Sequence, residues 1–505
     1  MTERRAGAPG MGATASPIGA VGKVGLIRSA PPRKRPRRTV PRDGALPHLA
    51  EALDVTTMRT VFQRMLYAAP PSTNVPVASK TGFEVRRCEI EWAKYRPGKN
   101  CTVAYRVGLR DRSTGQESEQ LLCARVFEPG RSLARFQAVR AEDLVSPGVG
   151  RPITHLPDMD MIVWAFPNDS KLHAMPRILD ADRLRGELLP AVVEAAAGPG
   201  WSITGLRRDV VQYVPEETCT VRVRARLERV QSGERREVVV YGKIYKEGQG
   251  ADTYGLMRQL WESDARRRGQ LRIARPLGYD RELHILWQSG VPGVALLEEN
   301  LTGPHAHSLM ARAANAVAAL HTADVSCSRS IEPADARSRL QEMRGIIPQI
   351  TPSCRATLEP LVDRLMEQGE KLGDQPVAVL HGDLRLRHLI VDGDEVSLID
   401  VDTLCHGSPW HDIGSFTAAI LYKGMLMGLP DREIHDILAT FHAHYARGVP
   451  WKPSSAVVNW YTAVALINER AFRSITRLQR DTLQMVDELV ELASRISRRK
   501  GIPPW

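Results

Sequence analysis

A block that occurs twice, at a fixed spacing of 118 residues, limits what this chain can fold into more than any other feature. The segment KYRPGKNCTVAYRVGLRDRSTGQESEQLLCARVFEPG, ending at Gly130, aligns without a gap on QYVPEETCTVRVRARLERVQSGERREVVVYGKIYKEG, ending at Gly248. In that register Tyr95/Tyr213, Pro97/Pro215, Cys101/Cys219, Thr102/Thr220, Val103/Val221, Leu109/Leu227 and Gly115/Gly233 are identical pairs. A repeat of this length in a chain of 505 residues implies duplicated structural units rather than one core.

Within each copy, alternating runs such as TVRVRARLERV and VVVYGKIY are bounded by Pro- and Gly-marked turns, which predicts a three-stranded antiparallel meander. A helix-like stretch follows (132–142 and 253–268), then a further strand pair with Pro152 and Pro276 at matching places. Three strands, a helix and two strands are the layout of the small lobe of a protein-kinase-like fold. Beyond about Leu296 the periodicity turns helical. In AHSLMARAANAVAALHTADV it puts Leu309, Ala313, Ala316, Val317 and Leu320 on one face, and the last ~90 residues read the same way. The expected fold class is α+β: an antiparallel-sheet small lobe and a helical large lobe, preceded by a second small-lobe-like repeat. The expected units are a disordered basic tail over 1–45, a degenerate small-lobe-like cap over 46–192, the small lobe proper over 193–292 and the catalytic large lobe over 293–505.

Composition agrees with a soluble globular protein: 43% of residues are hydrophobic and 25% charged, and no run approaches the ~18 apolar residues a membrane helix needs. The formal charge of +11 is uneven, because residues 1–43 carry +8 of it. That segment, with PPRKRPRR in a Gly/Ala/Pro-rich context, reads as a solvated extension; it is the one part suited to nucleic acid or anionic lipid. It has no signal-peptide core, so a cytoplasmic location is expected. The seven cysteines include no CxxC pair and no zinc spacing.

The chemistry concentrates in VAVLHGDLRLRHLIVDGDEVSLIDVDTLCHGSPWHDIGSF, residues 377–416. A short apolar strand leads into a loop holding His381, Gly382 and Asp383. HLIV and VSLID then form a hairpin around Asp392, Gly393 and Asp394, fixing the separation of His388 and Asp400. Phosphoryl transfer asks little covalent chemistry of a protein. It needs an acceptor oxygen placed in line with the γ-phosphate and cations that neutralise phosphate charge. One loop aspartate can take the acceptor proton, and a second beyond the hairpin can hold Mg²⁺ through hard oxygen ligands. In kinase catalytic loops the second metal ligand lies five residues after the base, and Asp383 plus five is His388.

HGDLRLRHLIVDG followed by LIDVDTLCHGSPWHDIGSF resembles the aminoglycoside phosphotransferase and choline kinase family, whose pattern is HGDxxxxN, a hairpin, an ID motif and a downstream GxPxxD. The resemblance spans roughly residues 200–480. It implies an ATP- and Mg²⁺-dependent kinase acting on a hydroxyl of a small molecule of the sugar, aminoglycoside or amino alcohol class. Asp383 would then be the catalytic base and Asp400 the principal metal ligand. Asp412 would brace the catalytic loop, and His381 would fix its shape. His388 stands where the family has asparagine, and imidazole is a poorer Mg²⁺ ligand. That departure motivates the alternative of a catalytically inactive, pseudokinase-type nucleotide-binding module. Lys243, in the third strand of the second copy, takes the place of the phosphate-binding lysine, with Glu262 as its orienting carboxylate and Asp252 and Asp264 as the other acidic candidates there. Gln288 to Val291 would be the hinge that meets adenine, and the turn Val214 to Cys219 would cover the phosphates. Arg125 occupies the position of Lys243 in the first copy.

Overall fold

A computed structural model of the protein describes residues 41–67, 82–140, 142, 144–452, 454–478 and 483–499. The two copies form two five-stranded antiparallel sheets of one topology. The first contains β1 (Phe83–Arg96), β2 (Asn100–Asp111), β3 (Glu117–Phe127), β4 (Ile153–Leu156) and β5 (Met161–Ala165), in the order β1-β2-β3-β5-β4. The second contains β6 (Trp201–Val214), β7 (Thr218–Arg229), β8 (Arg235–Tyr245), β9 (Pro276–Asp280) and β10 (Ile285–Ser289), in the order β6-β7-β8-β10-β9. A helix joins the third and fourth strands of each, Ser132–Gln137 and Ala251–Glu262. Even an irregularity is shared: register shifts lie between Val85 and Arg87 and, 118 residues on, between Ile203 and Gly205.

Strand alternation decides what each sheet faces. Cys101, Val103, Tyr105, Val107 and Leu109 pack against Leu49, Ala52, Met58 and Phe62 of the helices Leu49–Leu53 and Val55–Tyr67. Their counterparts Cys219, Val221, Val223, Ala225 and Leu227 pack against Leu172, Met175, Ile178, Leu189 and Val193. Each unit thus begins with helices that cover one face of its own sheet. Residues 172–192, expected in the cap, belong by packing to the second unit, because an uncovered sheet face would expose its apolar row.

The unit also begins with a shared device, PRDGAL at 41–46 and PNDSKL at 167–172. The Asp43 carboxylate accepts from the Tyr95 hydroxyl (2.8 Å) and the Gly98 amide (2.8 Å). Asp169 accepts from the Tyr213 hydroxyl (2.6 Å) and the Glu216 amide (3.0 Å). Residues 41–45 are therefore tied into the fold rather than forming the end of a disordered tail; the rest of that expected tail lies outside the described residues.

The chain leaves the second sheet at β10 and crosses through Gly290, whose amide donates to Val239 O (2.9 Å), into β11 (Val294–Ala295). The large lobe is helical around two small sheets. One sheet joins β11, β14 (Leu389–Asp392) and β15 (Glu395–Leu398). The other joins β12 (Ser330–Ile331), β16 (Cys405–Gly407) and β13 (Ala378–Leu380). The main helices are Gly303–His321, Pro333–Ile350, Arg355–Glu370, Trp410–Met427, Asp431–Gly448, Ser455–Ala465 and Val486–Ser497. Leu309, Ala313, Ala316, Val317 and Leu320 are buried, as the periodicity required. The architecture is α+β and protein-kinase-like, with a second small-lobe-like sheet ahead of the two lobes. Among the described residues no helix is long and apolar enough to cross a membrane.

Candidate active site

The HGD loop follows β13, and its shape depends on a glycine. Gly382 has φ +77°, and a Cβ there would lie 2.3 Å from the Thr403 carbonyl oxygen, so no other residue fits without moving the chain. Asp412, fully buried in the first turn of helix Trp410–Met427, accepts from the backbone amides of His381 (2.6 Å) and Gly382 (3.1 Å). His321 Nε2 lies 3.3 Å from the same carboxylate, and His321 Nδ1 is 2.8 Å from the Tyr445 hydroxyl. Burial alone would raise the Asp412 carboxyl, but His321 and His411 outweigh it and hold the group well below the usual carboxylate range. His411 Nδ1 is 3.6 Å away, an ion-pair distance rather than a hydrogen bond, and its pKa is raised despite burial. His381 is buried, donates through Nε2 to Ile399 O (3.0 Å) and accepts at its own carbonyl from Thr403 Oγ1 (2.8 Å).

Asp383 projects from this braced loop. Burial raises its pKa against the pull of Arg385, whose Nε donates to Oδ1 at 2.6 Å. His388 links Asp383 to Asp400: its Nδ1 donates to the Asp383 carbonyl (2.9 Å) and its Nε2 lies 3.3 Å from Asp400 Oδ2. Burial pushes this imidazole down to about 3, so it is neutral and turns a nitrogen lone pair toward a carboxylate. Two acceptors facing each other at that distance fit a divalent cation between them, although one imidazole and one carboxylate make a softer donor set than an all-oxygen Mg²⁺ site. Asp400 itself has φ +63°, a left-handed conformation that costs a non-glycine residue about 1 kcal/mol and persists only where the surroundings impose it.

Alternation along β8 sends Val238, Val240 and Ile244 into the core of the second unit and Lys243 and Tyr245 to the cleft. Lys243 Nζ lies 2.5 Å from Asp400 Oδ1 and 2.6 Å from Asp402 Oδ2, and the Tyr245 hydroxyl donates to Asp402 Oδ1 (2.8 Å). Burial opposes the ammonium, yet Asp402, Tyr245 and Asp400 together raise its pKa. Glu262 does not reach it. That side chain is exposed and pairs with Arg258 at 3.3 Å, because the inward face of its helix is Thr253, Met257 and Leu260, and two further residues turn it ~200° away. The carboxylate that meets Lys243 beside Asp400 is instead Asp402, which sequence reasoning passed over. Its signal was the second aspartate of IDVDT, two residues past Asp400.

Gln288, opposite Tyr241 on β10, and Val291, half-buried against the large-lobe core, lie at the crossing between the lobes. The turn between Val214 and Thr218 closes over the same end of the sheet as Lys243, since Thr218 pairs with Tyr245 and Thr220 with Lys243. The structure therefore brings Lys243, Asp383, His388 and Asp400 together, braced by His381 and Asp412.

The fold is of protein-kinase-like architecture, with these side chains gathered in the cleft between its sheet and its helical lobe. Residues 229–451 match the family model described as "Phosphotransferase enzyme family". Among solved structures, the aminoglycoside phosphotransferase APH(3'')-Id from Streptomyces rimosus is 18% identical, with 54% of this chain and 95% of that one covered and a TM-score of 0.35. A choline/ethanolamine kinase family protein from Mesorhizobium loti is 13% identical, with 61% and 94% covered and a TM-score of 0.36. A thermostable APH(4)-Ia mutant in ternary complex with ADP and hygromycin B is 13% identical, with 59% and 96% covered and a TM-score of 0.41. No curated protein matched the chain.

Proposed function

We propose that this protein is an ATP- and divalent-metal-dependent phosphotransferase that phosphorylates a hydroxyl of a small molecule. The observation that carries the reading is the convergence of Lys243, Asp400 and the Asp383 loop, joined through His388, in the cleft between sheet and helices. In this reading Lys243 holds the α- and β-phosphates and hinge residues 288–291 meet the adenine. Asp383 accepts the acceptor's proton as the new P–O bond forms at the hydroxyl oxygen and the bond from the γ-phosphorus to ADP breaks. Asp400 and His388 would hold the metal, which neutralises charge on the β- and γ-phosphates when bound. Arg385 occupies one oxygen of Asp383 and so directs the other toward the acceptor.

The deciding experiment is steady-state ADP release with acceptor panels of the sugar, aminoglycoside and amino alcohol classes. Asp383→Ala should lower kcat by about 10²–10⁴ while leaving the KM for ATP within a few-fold. Equal turnover by wild type and Asp383→Ala would reject the assignment. The neutral His388 in the second metal position favours one other reading, a silent nucleotide-binding module. Calorimetry separates the two, because ATP binding that is indifferent to Mg²⁺ and Mn²⁺ belongs to the module alone.

A further inference from the structure

Five arginines gather around the loop that carries Asp383. Arg385 and Arg387 come from the catalytic loop, while Arg470, Arg473 and Arg477 stand at i, i+3 and i+7 on the helical run 466–477, along one face. They interact as one cluster: Arg473, Arg387 and Arg470 each act on Asp383, and Arg385 and Arg387 repel Arg477. The carboxylates among them are few. Arg385 is paired to Asp383 at 2.6 Å, and Arg470 reaches Glu469 at 3.4 Å. Among the described residues neither Arg387 nor Arg473 has an ion-pair partner within 4.0 Å, and the buried Arg470 Nε has no hydrogen-bond partner. Burial first, and neighbouring guanidiniums after it, push Arg473 down to about 9; burial also pushes Arg477 down to about 10, opposed by Glu217 and helped to a smaller extent by Arg387 and Arg385. The first unit supplies one wall, for Arg477 lies over the Trp92 ring at 4.5 Å and donates to Ala93 O at 3.4 Å.

Half-buried guanidiniums in excess of carboxylates repel one another and stay poorly solvated, an arrangement that an oxyanion relieves and a cation aggravates. Each planar fork can also grip a phosphate or carboxylate through two hydrogen bonds. Taking Asp383 as the base, as proposed above, we infer that the acceptor carries a phosphate or carboxylate group besides the hydroxyl that reacts. Arg473 and Arg477, with Arg387 at the more exposed rim, hold that anion beside Asp383. Within the classes expected from sequence, this selects acidic or phosphorylated sugars over aminoglycosides and amino alcohols, whose ammonium groups the cluster repels.

The test uses the full chain with ATP and Mg²⁺ or Mn²⁺, and four acceptors: glucose 6-phosphate, gluconate, glucose and kanamycin. The anionic pair should exceed glucose at least tenfold in kcat/KM, the difference between phosphate and carboxylate naming the preferred anion, and kanamycin should be inert. Arg473→Gln and Arg477→Gln should each lose about tenfold on the anionic acceptor through KM, with the KM for ATP unchanged; Arg473→Lys should recover part of the loss. Because a repelled charge is removed, Arg473→Gln should melt no lower than wild type, which separates lost binding from lost folding. Calorimetry of glucose 6-phosphate with a non-hydrolysable ATP analogue reads the site without turnover. Binding that depends on Arg473 without transfer to any acceptor would keep the anion site and sink the phosphotransferase reading. Preference for glucose or kanamycin, no binding of either anion, or anion binding unchanged in the Arg473→Gln/Arg477→Gln double variant would overturn the inference while leaving phosphoryl transfer to stand or fall on Asp383.

Discussion

Asp412 shows how one side chain governs a site it does not touch. It contacts no reacting atom, yet it alone satisfies two backbone amides of the HGD loop and faces two histidines. Asp412→Ala should cost about 3–5 kcal/mol, because buried donors and any buried imidazolium lose their acceptor; chemical denaturation of the two proteins measures the difference. The pH dependence has a defined sign. A depressed carboxyl contributes stability that is complete above its unfolded value, about 4, and is lost as pH falls toward the folded value. His411, raised, contributes below its unfolded value of about 6.5 and loses that as pH rises through the folded one. The gap between wild type and Asp412→Ala should therefore be widest between about pH 4 and 6.5, and a gap that does not vary with pH would contradict the ion-pair account. His388 carries a second prediction at this scale. An imidazole nitrogen favours Mn²⁺ over Mg²⁺ relative to an amide oxygen, so His388→Asn should lower the ratio of Mn²⁺- to Mg²⁺-supported activity in the ADP-release assay.

Among the elements, the helix Ala251–Glu262 differs most from expectation. In sequence it follows the lysine-bearing strand and offers Asp252 and Glu262 as partners, but its inward face is Thr253, Met257 and Leu260. Lys243 is positioned instead by the segment after β15, through Asp400 and Asp402. Loss of one charged hydrogen bond of this kind costs about 1.5–3 kcal/mol, so Asp402→Ala should raise the KM for ATP roughly 10- to 100-fold. Glu262→Ala should leave it unchanged. The comparison of the two variants in one kinetic assay decides which element orients the lysine.

Across the molecule, the first unit works as a brace on the second. Arg125, at the position that Lys243 holds in the other copy, lines a cavity of about 700 Å³ with Arg135, Lys171 and Glu216, and pairs with Glu216 in the turn that follows β6. Ser170 donates to the same carboxylate (2.9 Å), and Lys94 pairs with the neighbouring Glu217. Glu216 has φ +63° where the first copy has Gly98 at φ +68°, so a side chain is kept in a conformation suited to glycine. Its contacts with Arg125, Ser170 and the Asp169-bound amide offset that cost. If the first unit holds this turn over the phosphates, Arg125→Ala should speed amide exchange over residues 214–218 about tenfold or more and weaken ATP binding. Unchanged exchange there would leave the first unit with no part in shaping the nucleotide site.

The sequence alone determined the duplication, the strand and helix order of each copy, and the loop carrying His381, Asp383, His388, Asp400 and Asp412. Those features are written in local periodicity, turn residues and fixed spacing, which neighbours in the chain suffice to specify. It also held the Pro-x-Asp-x-x-Leu start of each unit at 41–46 and 167–172, legible only once the spacing is allowed to change to 126. Only the tertiary structure decided that residues 172–192 cover the second sheet, that Asp402 rather than Glu262 meets Lys243, and that Arg125 grips Glu216. It also gathered the arginines of the HGD loop and of residues 470–477 into one cluster beside that loop. Partners more than 80 residues apart in sequence, such as Arg125 and Glu216 or Lys243 and Asp402, are set by which faces pack together, and charge carries no record of its partner along the chain.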